Sequence, residues 1–298
     1  RIKLFDILII DECESAFTQL SSKTMGDKCS ESYSILEQLI KEAKIKIYAD
    51  AFISNRTFSF VKTLDVSKKI YINNISKPVK RIARFVDGTL SSLFGELMKD
   101  LEDGKRILFY AENNAQLTSL KDTLDLKGIT NLIYTAQLKN EGTLDNVNKT
   151  WQKYQLIAFS PTITVGINFD IPNIFHKVYI YVTRNIGMIR NAFQGSMRVR
   201  HLIDNEMVYS IGEGCGIKNK YINTFSEARN YVDNYSKIIT DASRWIKEEF
   251  SVKKNWVKEE EWALDNLAYS ILEKELGSRY INEMMDYFLF INNYQKKK

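Results

Sequence analysis

Short apolar runs alternate with amphipathic stretches along residues 1–218 of the chain. An apolar run of about four to eight residues is typical of a buried strand, whereas apolar residues three and four apart indicate a helix. Helical spacing occurs, for example, in Tyr33–Ala43 and Leu90–Leu101. This alternation predicts parallel sheets covered by helices, the α/β class. The predicted strands are Phe5–Ile10, Ile45–Ala49, Ile70–Ile72, Arg106–Tyr110, Asn131–Tyr134, Leu156–Phe159, Val178–Tyr181 and Met207–Ile211.

The pattern changes near residue 220, after which helical stretches follow one another without a strand signal. Pro78 interrupts any regular element near the middle of the α/β part, so we place a domain junction just before it. We therefore expect three parts, namely residues 1–75 and 76–218 with parallel sheets and residues 219–298 as an all-helical C-terminal region. The predicted C-terminal helices are Phe225–Phe250, Glu259–Leu276 and Tyr280–Tyr294.

Composition narrows the class of protein. With 13 Gly and 3 Pro among 298 residues, collagen-like and linker sequences are excluded. The net charge of +5 lies wholly in residues 1–218, which carry 29 basic and 24 acidic residues against 13 and 13 afterwards. This modest excess is compatible with a nucleic-acid partner without demonstrating one. The three cysteines are widely spaced, which argues against structural zinc and disulfides, and no apolar run is long enough to predict a membrane helix.

Two acids, Asp11 and Glu12, follow the first predicted strand directly. Two carboxylates at the end of a strand suit nucleotide hydrolysis, because one holds Mg²⁺ and the other orients or deprotonates the attacking water. The alternative is an acidic loop in which Asp11 or Ser15 caps the next helix. The residues alone do not decide between the two.

A second candidate is a basic helix end. We predict a helix over Met188–Arg200, which places Gln194 and Arg198 on one face, with Arg200 following. Arginines in this arrangement can neutralise phosphate charge during phosphoryl transfer. The alternative is a solvated helix end whose arginines complement the helix dipole.

A third candidate is the loop after the predicted strand Leu156–Phe159. Its hydroxyl and amide groups suit contacts with phosphates, and its glycine permits close backbone approach. An ordinary connecting loop is the alternative. The residues concerned are Ser160, Thr162, Thr164, Gly166 and Asn168.

Together, the order and separation of these motifs resemble those of superfamily 2 helicases. Asp50-Ala51 and the Gln-x-x-x-Arg-Val-Arg spacing are most similar to the viral origin-of-replication-binding protein helicases of herpesvirus type. The resemblance covers about residues 4–215. Asp11–Glu14 is similar to motif II, Ala49–Ala51 to motif III, Phe109–Asn113 to motif IV, Ser160–Asp170 to motif V and Gln194–Arg200 to motif VI.

The resemblance implies two RecA-like lobes, the first incomplete, that hydrolyse ATP between them and drive a DNA helicase or translocase in replication. ATP and Mg²⁺ are the implied cofactors. Asp11 would hold Mg²⁺, and Glu12 would activate water. Arg198 and Arg200 would contact the γ-phosphate, with Gln194 nearby. The remaining implied sites are Gly166, Asn168 and Asp50 for the nucleotide and Asn113, Ser160, Thr162 and Thr164 for the nucleic-acid backbone.

DNA, as a single strand or an unwinding duplex, is the implied partner, with RNA as an open alternative and other replication proteins as further partners. The implied location is inside the cell, in the nucleus or at a viral replication site, with no membrane contact and no secretion. The basic stretch Lys77–Arg84 could contact a nucleic-acid backbone or form a solvated strand edge.

The sequence also departs from the helicase pattern. Met197 stands where motif VI usually has glycine, and no G-x-x-x-x-G-K-[ST] loop precedes motif II. Because the chain starts at Arg1 close to a strand, we expect a fragment, and we expect this chain alone to have negligible ATPase activity. The alternative is a catalytically inactive helicase-like protein that binds nucleic acid or acts as a scaffold.

Overall fold

The computed structural model describes residues 5–21, 28–64, 70–72, 79–87, 89–135, 137–138, 140, 142–161, 166–183, 189–212, 222–241 and 261–297. The chain forms two compact units. Unit 1 comprises Arg1–Asn73 and Asn219–Glu275, and unit 2 comprises Asn74–Lys218 and Leu276–Lys298. The expected C-terminal region is thus divided between the two units, because its helices pack on different parts of the α/β chain.

The strands are β1 (Ile7–Asp11), β2 (Ile45–Ala49), β3 (Arg81–Phe85), β4 (Ile107–Ala111), β5 (Asn131–Tyr134), β6 (Leu156–Phe159), β7 (Phe175–Thr183), β8 (Leu202–Gly212) and β9 (Tyr294–Lys297). The helices are α1 (Cys13–Leu20), α2 (Cys29–Glu42), α3 (Asn55–Leu64), α4 (Leu90–Glu102), α5 (Asn114–Leu126), α6 (Val147–Thr150), α7 (Ile189–Ser196), α8 (Phe225–Asp241), α9 (Glu261–Arg279) and α10 (Ile281–Ile291). A short 3₁₀ turn, Trp151–Lys153, follows α6.

Unit 1 is built on a parallel pair of strands, β1 and β2. Their inward side chains meet a core shared with α1, α2 and α3, in which Phe17, Tyr33 and Phe60 are buried. Helix α9 is tied to this core by Asn266, whose Nδ2 donates to the Phe17 carbonyl and to the Tyr33 hydroxyl, each at 2.7 Å. A buried polar contact of this kind specifies where a helix docks.

Unit 2 contains a seven-stranded sheet in the order β5-β6-β4-β7-β8-β3-β9, and every pair is parallel. The central strand β4 is buried along its whole length, as expected for a sheet covered on both faces. At one point the sheet buries charge. Lys177 Nζ on β7 lies 3.1 Å from Asp100 Oδ2 on α4 and 2.8 Å from Glu206 Oε2 on β8.

The predicted α/β class is confirmed, as are seven of the strands within a few residues. Two outcomes differ. Ile70–Ile72 forms no strand, and β3 and β9 were not predicted. Strand β9 also means that the C-terminal region is not all-helical. Its sequence, Tyr-Gln-Lys-Lys, carries no apolar alternation, so pairing with the β3 edge creates this strand. No helix in the described ranges is long and apolar enough to cross a membrane.

Candidate nucleotide and nucleic-acid sites

In unit 1, Asp11 ends β1 and is exposed, while Glu12 follows at the start of α1 and is half-buried. The Glu12 amide donates to Asp11 Oδ1 at 3.0 Å. Glu12 has a φ of 51°, in the left-handed region that non-glycine residues adopt rarely. Backbone strain of this kind concentrates at functional sites. It therefore favours a functional role for Asp11 and Glu12 over the alternative of an ordinary acidic loop.

Asp50, which follows β2, supplies the contact that caps α1. Its Oδ2 accepts from the Glu14 amide at 3.1 Å, and its Oδ1 accepts from the Phe52 amide at 2.8 Å. An otherwise unpaired amide in the first turn of α1 is therefore bonded by a residue that follows the neighbouring strand β2. The Asp11 carboxylate instead accepts a hydrogen bond from the Glu12 amide. Asp50 thus holds the loop after β1 against the loop after β2.

Glu14 also belongs to this site, although no role was predicted for it from the sequence. It is fully buried, and its Oε1 accepts from the amides of Ser54 at 2.6 Å and Thr57 at 3.3 Å, at the start of α3. A carboxylate at a helix N-terminus is stabilised by the unpaired amides and the helix dipole. Its position as the fourth residue of the Asp11–Glu14 motif is the feature of the sequence that points to a role. Its hydrogen-bond partners lie about forty residues further along the chain, so they can be identified only in the folded structure.

Cys13 lies within the same motif and is fully buried, with its Sγ 3.7 Å from Thr57 Oγ1. Burial raises the pKa of its thiol to about 11, against the opposing effect of the Thr57 contact. The thiol therefore stays protonated at neutral pH and packs as a small apolar group.

In unit 2, the predicted helix Met188–Arg200 is shorter than expected: α7 ends at Ser196. The Ser196 hydroxyl donates to the Phe193 carbonyl, and the chain then leaves the helix. Gln194 and Arg198 consequently do not share a helix face, which corrects the prediction. Gln194 is only 5% exposed within the helix, whereas Arg198 lies in the following turn.

The chain after α7 pairs with the loop before β7, and this pairing assembles motifs V and VI. Phe169 and Val199 form an isolated parallel bridge. The Phe169 amide donates to the Arg198 carbonyl at 2.8 Å, and the Arg200 amide donates to the Phe169 carbonyl at 3.3 Å. These backbone bonds bring the two predicted arginines beside the predicted glycine-containing loop.

The side chains of this cluster are in contact as well. Arg198 NH1 donates to the Ile167 carbonyl at 3.2 Å. Arg200 is exposed, and its Nε donates to Asn168 Oδ1 at 2.9 Å and lies 3.4 Å from Asp170 Oδ1. Gly166 has a φ of 80°, which a side chain would make costly. The structure therefore brings Arg198 beside Ile167 and Arg200 beside Asn168, with Gly166 next to Ile167 along the chain, and the role of these residues at a nucleotide stays a prediction.

Gly195 is another residue that the sequence analysis left unassigned. A Cβ at this position would lie 2.9 Å from Phe159 Cε2 and 3.0 Å from Tyr110 Cδ2. The absent side chain lets α7 lie directly on β4 and β6. Gly195 is thus required for the close packing of α7 on the sheet, just before the turn that contains Arg198.

Two of the predicted nucleic-acid residues, Asn113 and Ser160, lie at the carboxyl edge of the unit 2 sheet, after the ends of β4 and β6. Asn113 is exposed and caps α5, with its Oδ1 accepting from the Ala115 amide at 2.8 Å. Ser160 is only 1% exposed, and its amide donates to the Tyr134 carbonyl at 3.1 Å. Thr162 and Thr164 lie outside the described residues.

Glu112 directly precedes Asn113, and no role was predicted for it from the sequence. It is buried, and its Oε2 accepts from the Thr183 amide at 3.0 Å and from the Thr183 hydroxyl at 3.4 Å. Burial raises the pKa of its carboxyl to about 7, against the lowering effect of the two Thr183 bonds. An acid that is half-protonated near neutral pH thus lies at the carboxyl edge of the central strands.

The described residues contain no group of three or more His, Cys, Asp or Glu side chains that could hold a metal ion. Mg²⁺ does not require one, because it is commonly bound by one or two carboxylates together with waters and phosphates. The exposed carboxylate of Asp11 fits that mode of binding.

The fold and the two motif clusters define an α/β protein of the helicase type. Residues 48–233 match the family described as "Origin of replication binding protein", and the chain belongs to that family. The match includes Asp50 and the motif V and VI cluster, and it begins after Asp11 and Glu12.

Individual proteins agree with this assignment. The chain is 29% identical over 246 residues to the "Putative replication origin-binding protein" of Acanthamoeba polyphaga mimivirus, covering 79% of this chain and 30% of the relative. It is 24% identical over 204 residues to the "Putative helicase/primase complex protein" of African swine fever virus, covering 66% and 19%. The chain thus spans less than a third of either relative.

A solved structure bears on the fold alone. S. cerevisiae Dbp5 bound to RNA and ADP BeF3 aligns with a TM-score of 0.51 at 13% identity, covering 91% of this chain and 65% of that chain. This likeness confirms the predicted RecA-like parallel α/β fold.

Proposed function

We propose that this chain is part of the ATP-driven motor of a helicase or translocase that acts on DNA in replication. The observation that carries the proposal is the Phe169–Val199 bridge, which joins motif V to motif VI and sets Arg200 beside Asn168. Neither alternative, an ordinary connecting loop or a solvated helix end, predicts that these two segments pair with each other. Membership of the origin-of-replication-binding family supports DNA as the substrate.

In this proposal each unit supplies its own groups. Asp11 of unit 1 holds Mg²⁺ through its exposed carboxylate, and Glu12 orients and deprotonates the attacking water. Arg198 and Arg200 of unit 2 neutralise charge on the γ-phosphate, while Gly166 and Asn168 line the nucleotide. Asp50 and Gln194 support these groups through packing and main-chain contacts, as their positions suggest. ATP supplies the free energy, and its hydrolysis drives conformational change.

The nucleic-acid contacts are proposed at the carboxyl edge of the unit 2 sheet. Asn113, which is exposed, and Ser160, which is buried, are assigned there, whereas Thr162 and Thr164 lie outside the described residues and stay assigned from the sequence alone. This edge is separate from the arginine cluster, which precedes β7 and β8. Separate edges allow nucleotide and nucleic acid to bind unit 2 at the same time.

A second function has one observation in its favour. The sequence contains no G-x-x-x-x-G-K-[ST] loop, which is the part that cradles the nucleotide phosphates in such motors. The alternative is therefore a nucleic-acid-binding or scaffold protein that does not hydrolyse ATP.

DNA-stimulated ATP hydrolysis distinguishes the two functions. We expect negligible turnover in this 298-residue chain, which contains no G-x-x-x-x-G-K-[ST] loop, and the assigned roles are tested in the full-length gene product. In that product, Glu12→Gln and Arg198→Ala should abolish most of the turnover, whereas Lys121→Gln, which removes an exposed ion pair with Asp125 on α5, should not. Turnover as in the wild type in either of the first two variants contradicts the assigned roles.

A further inference from the structure

Arg81 is the first residue of β3 and is only 4% exposed. Arg81 belongs to the basic stretch Lys77–Arg84, for which contact with nucleic acid or a solvated strand edge is expected, and its burial agrees with neither. An arginine is rarely buried this far unless its guanidinium is bonded. What Arg81 contacts therefore indicates its role.

The guanidinium of Arg81 contacts the turn that carries the motif VI arginines. Its NH2 donates to the Arg200 carbonyl at 2.8 Å and to the Val199 carbonyl at 3.2 Å. Its NH1 donates to the Tyr294 hydroxyl at 3.4 Å. A planar, permanently charged guanidinium can hold two consecutive carbonyls in a defined direction, which a lysine ammonium cannot do as well.

The same cluster accounts for the departure at Met197. Its sulfur lies 3.6 Å from Arg81 NH1 and 3.8 Å from the Tyr294 hydroxyl. Tyr294 reaches this place because it is paired in register with Arg81 at the start of β9. A glycine at position 197 would leave both polar groups without this contact.

We propose that Arg81 is a positioning residue for Arg198 and Arg200, assisted by Tyr294 and Met197. It acts through the main chain of Val199 and Arg200, because its buried guanidinium is bonded to their carbonyl oxygens. The functional part of this inference rests on the proposed ATP-driven role, whereas its structural part does not. Loss of Arg81 frees two carbonyls, and the Phe169–Val199 bridge loses its support on the side of β3.

Amide hydrogen exchange tests the structural part directly. The amides of Phe169 and Arg200 report on the bridge, because each donates across it. We expect Arg81→Met to speed exchange of both by about tenfold or more, with Arg81→Lys intermediate. Arg106→Met is the matched control, since Arg106 donates to the Gln152 carbonyl elsewhere in unit 2. Rates as in the wild type, or equal acceleration throughout the β4 amides, overturn the proposal.

Tyr294→Phe keeps the test decisive if Arg81→Met fails to fold. It removes one hydroxyl, and faster exchange at Phe169 and Arg200 in this variant supports the proposal. Unchanged exchange at both amides overturns it.

Binding of a fluorescent ATP analogue to the chain tests the functional part. If the wild type binds, we expect Arg81→Met to weaken affinity about tenfold or more, and to weaken it no further when Arg198→Ala and Arg200→Ala are both already present. Additive losses overturn the positioning role. If the wild type does not bind, the proposed nucleotide site of this chain fails, and the exchange experiment still decides whether Arg81 positions the turn.

Discussion

Glu112 should make the stability of unit 2 depend on pH near neutrality. Its carboxyl is 8% exposed and packed at the ends of β4 and β7, where Thr183 donates two hydrogen bonds to Oε2. Burial, together with the nearby Glu112 carboxylate, raises the pKa values of Tyr110 and Tyr181. The perturbation is Glu112→Gln, which keeps the shape and an acceptor for Thr183 and removes the ionisation.

The sign follows from the raised pKa. The folded carboxyl has a pKa of about 7 against an ordinary 4.5, so between these values the folded state holds a proton that the unfolded state has lost. Stability from this group is therefore fully present below about pH 4.5 and is lost as the pH rises through about 7. The difference corresponds to about 3 kcal/mol.

Urea unfolding at pH 5 and pH 8 measures this contribution. Relative to the wild type, Glu112→Gln should gain about 2.5 kcal/mol between the two pH values, because constant effects of the amide cancel. Glu102→Gln, at an exposed position paired with Lys127, should gain much less and serves as the control. Parallel pH dependence in Glu112→Gln and the wild type would refute the reasoning.

Three further predictions concern packing and capping. Lys177→Met should destabilise unit 2 by about 1–3 kcal/mol in urea unfolding, since Asp100 and Glu206 lose their shared cation while each keeps one other, Lys105 and Arg84 respectively; unchanged stability would contradict this. Gly195→Ala should cost about 1–3 kcal/mol, because its Cβ meets an aromatic ring at 2.9 Å, and an unchanged thermal midpoint would be inconsistent with that contact. Asp50→Ala should cost about 1 kcal/mol through the lost cap on α1, while Asp50→Asn should recover most of it.

The site could be predicted from the sequence only in part. The apolar run before Asp11 and Glu12 correctly predicts that these acids follow a strand. Nothing local in the sequence predicts that the motif V and VI residues contact each other. The helix carrying Arg198 was extended too far, because Met197-Arg198-Val199-Arg200 has no local signal strong enough to end a helix. Its end depends on the bridge to Phe169, which is distant in sequence.

Elements whose apolar pattern is local can be predicted from the residues alone. Apolar runs such as Leu156–Phe159 and the helical spacing of Leu90–Leu101 remain informative in isolation, because burial imposes periods of about two and 3.6 residues. Which segment pairs with which depends on the folded chain. Tyr294–Lys297 becomes a strand by pairing with β3, Asp50 caps α1, and Arg81 is buried against the turn that contains Val199 and Arg200. The reason is that backbone groups and long side chains find partners across the fold, and the identity of a partner is not written in the residues next to it.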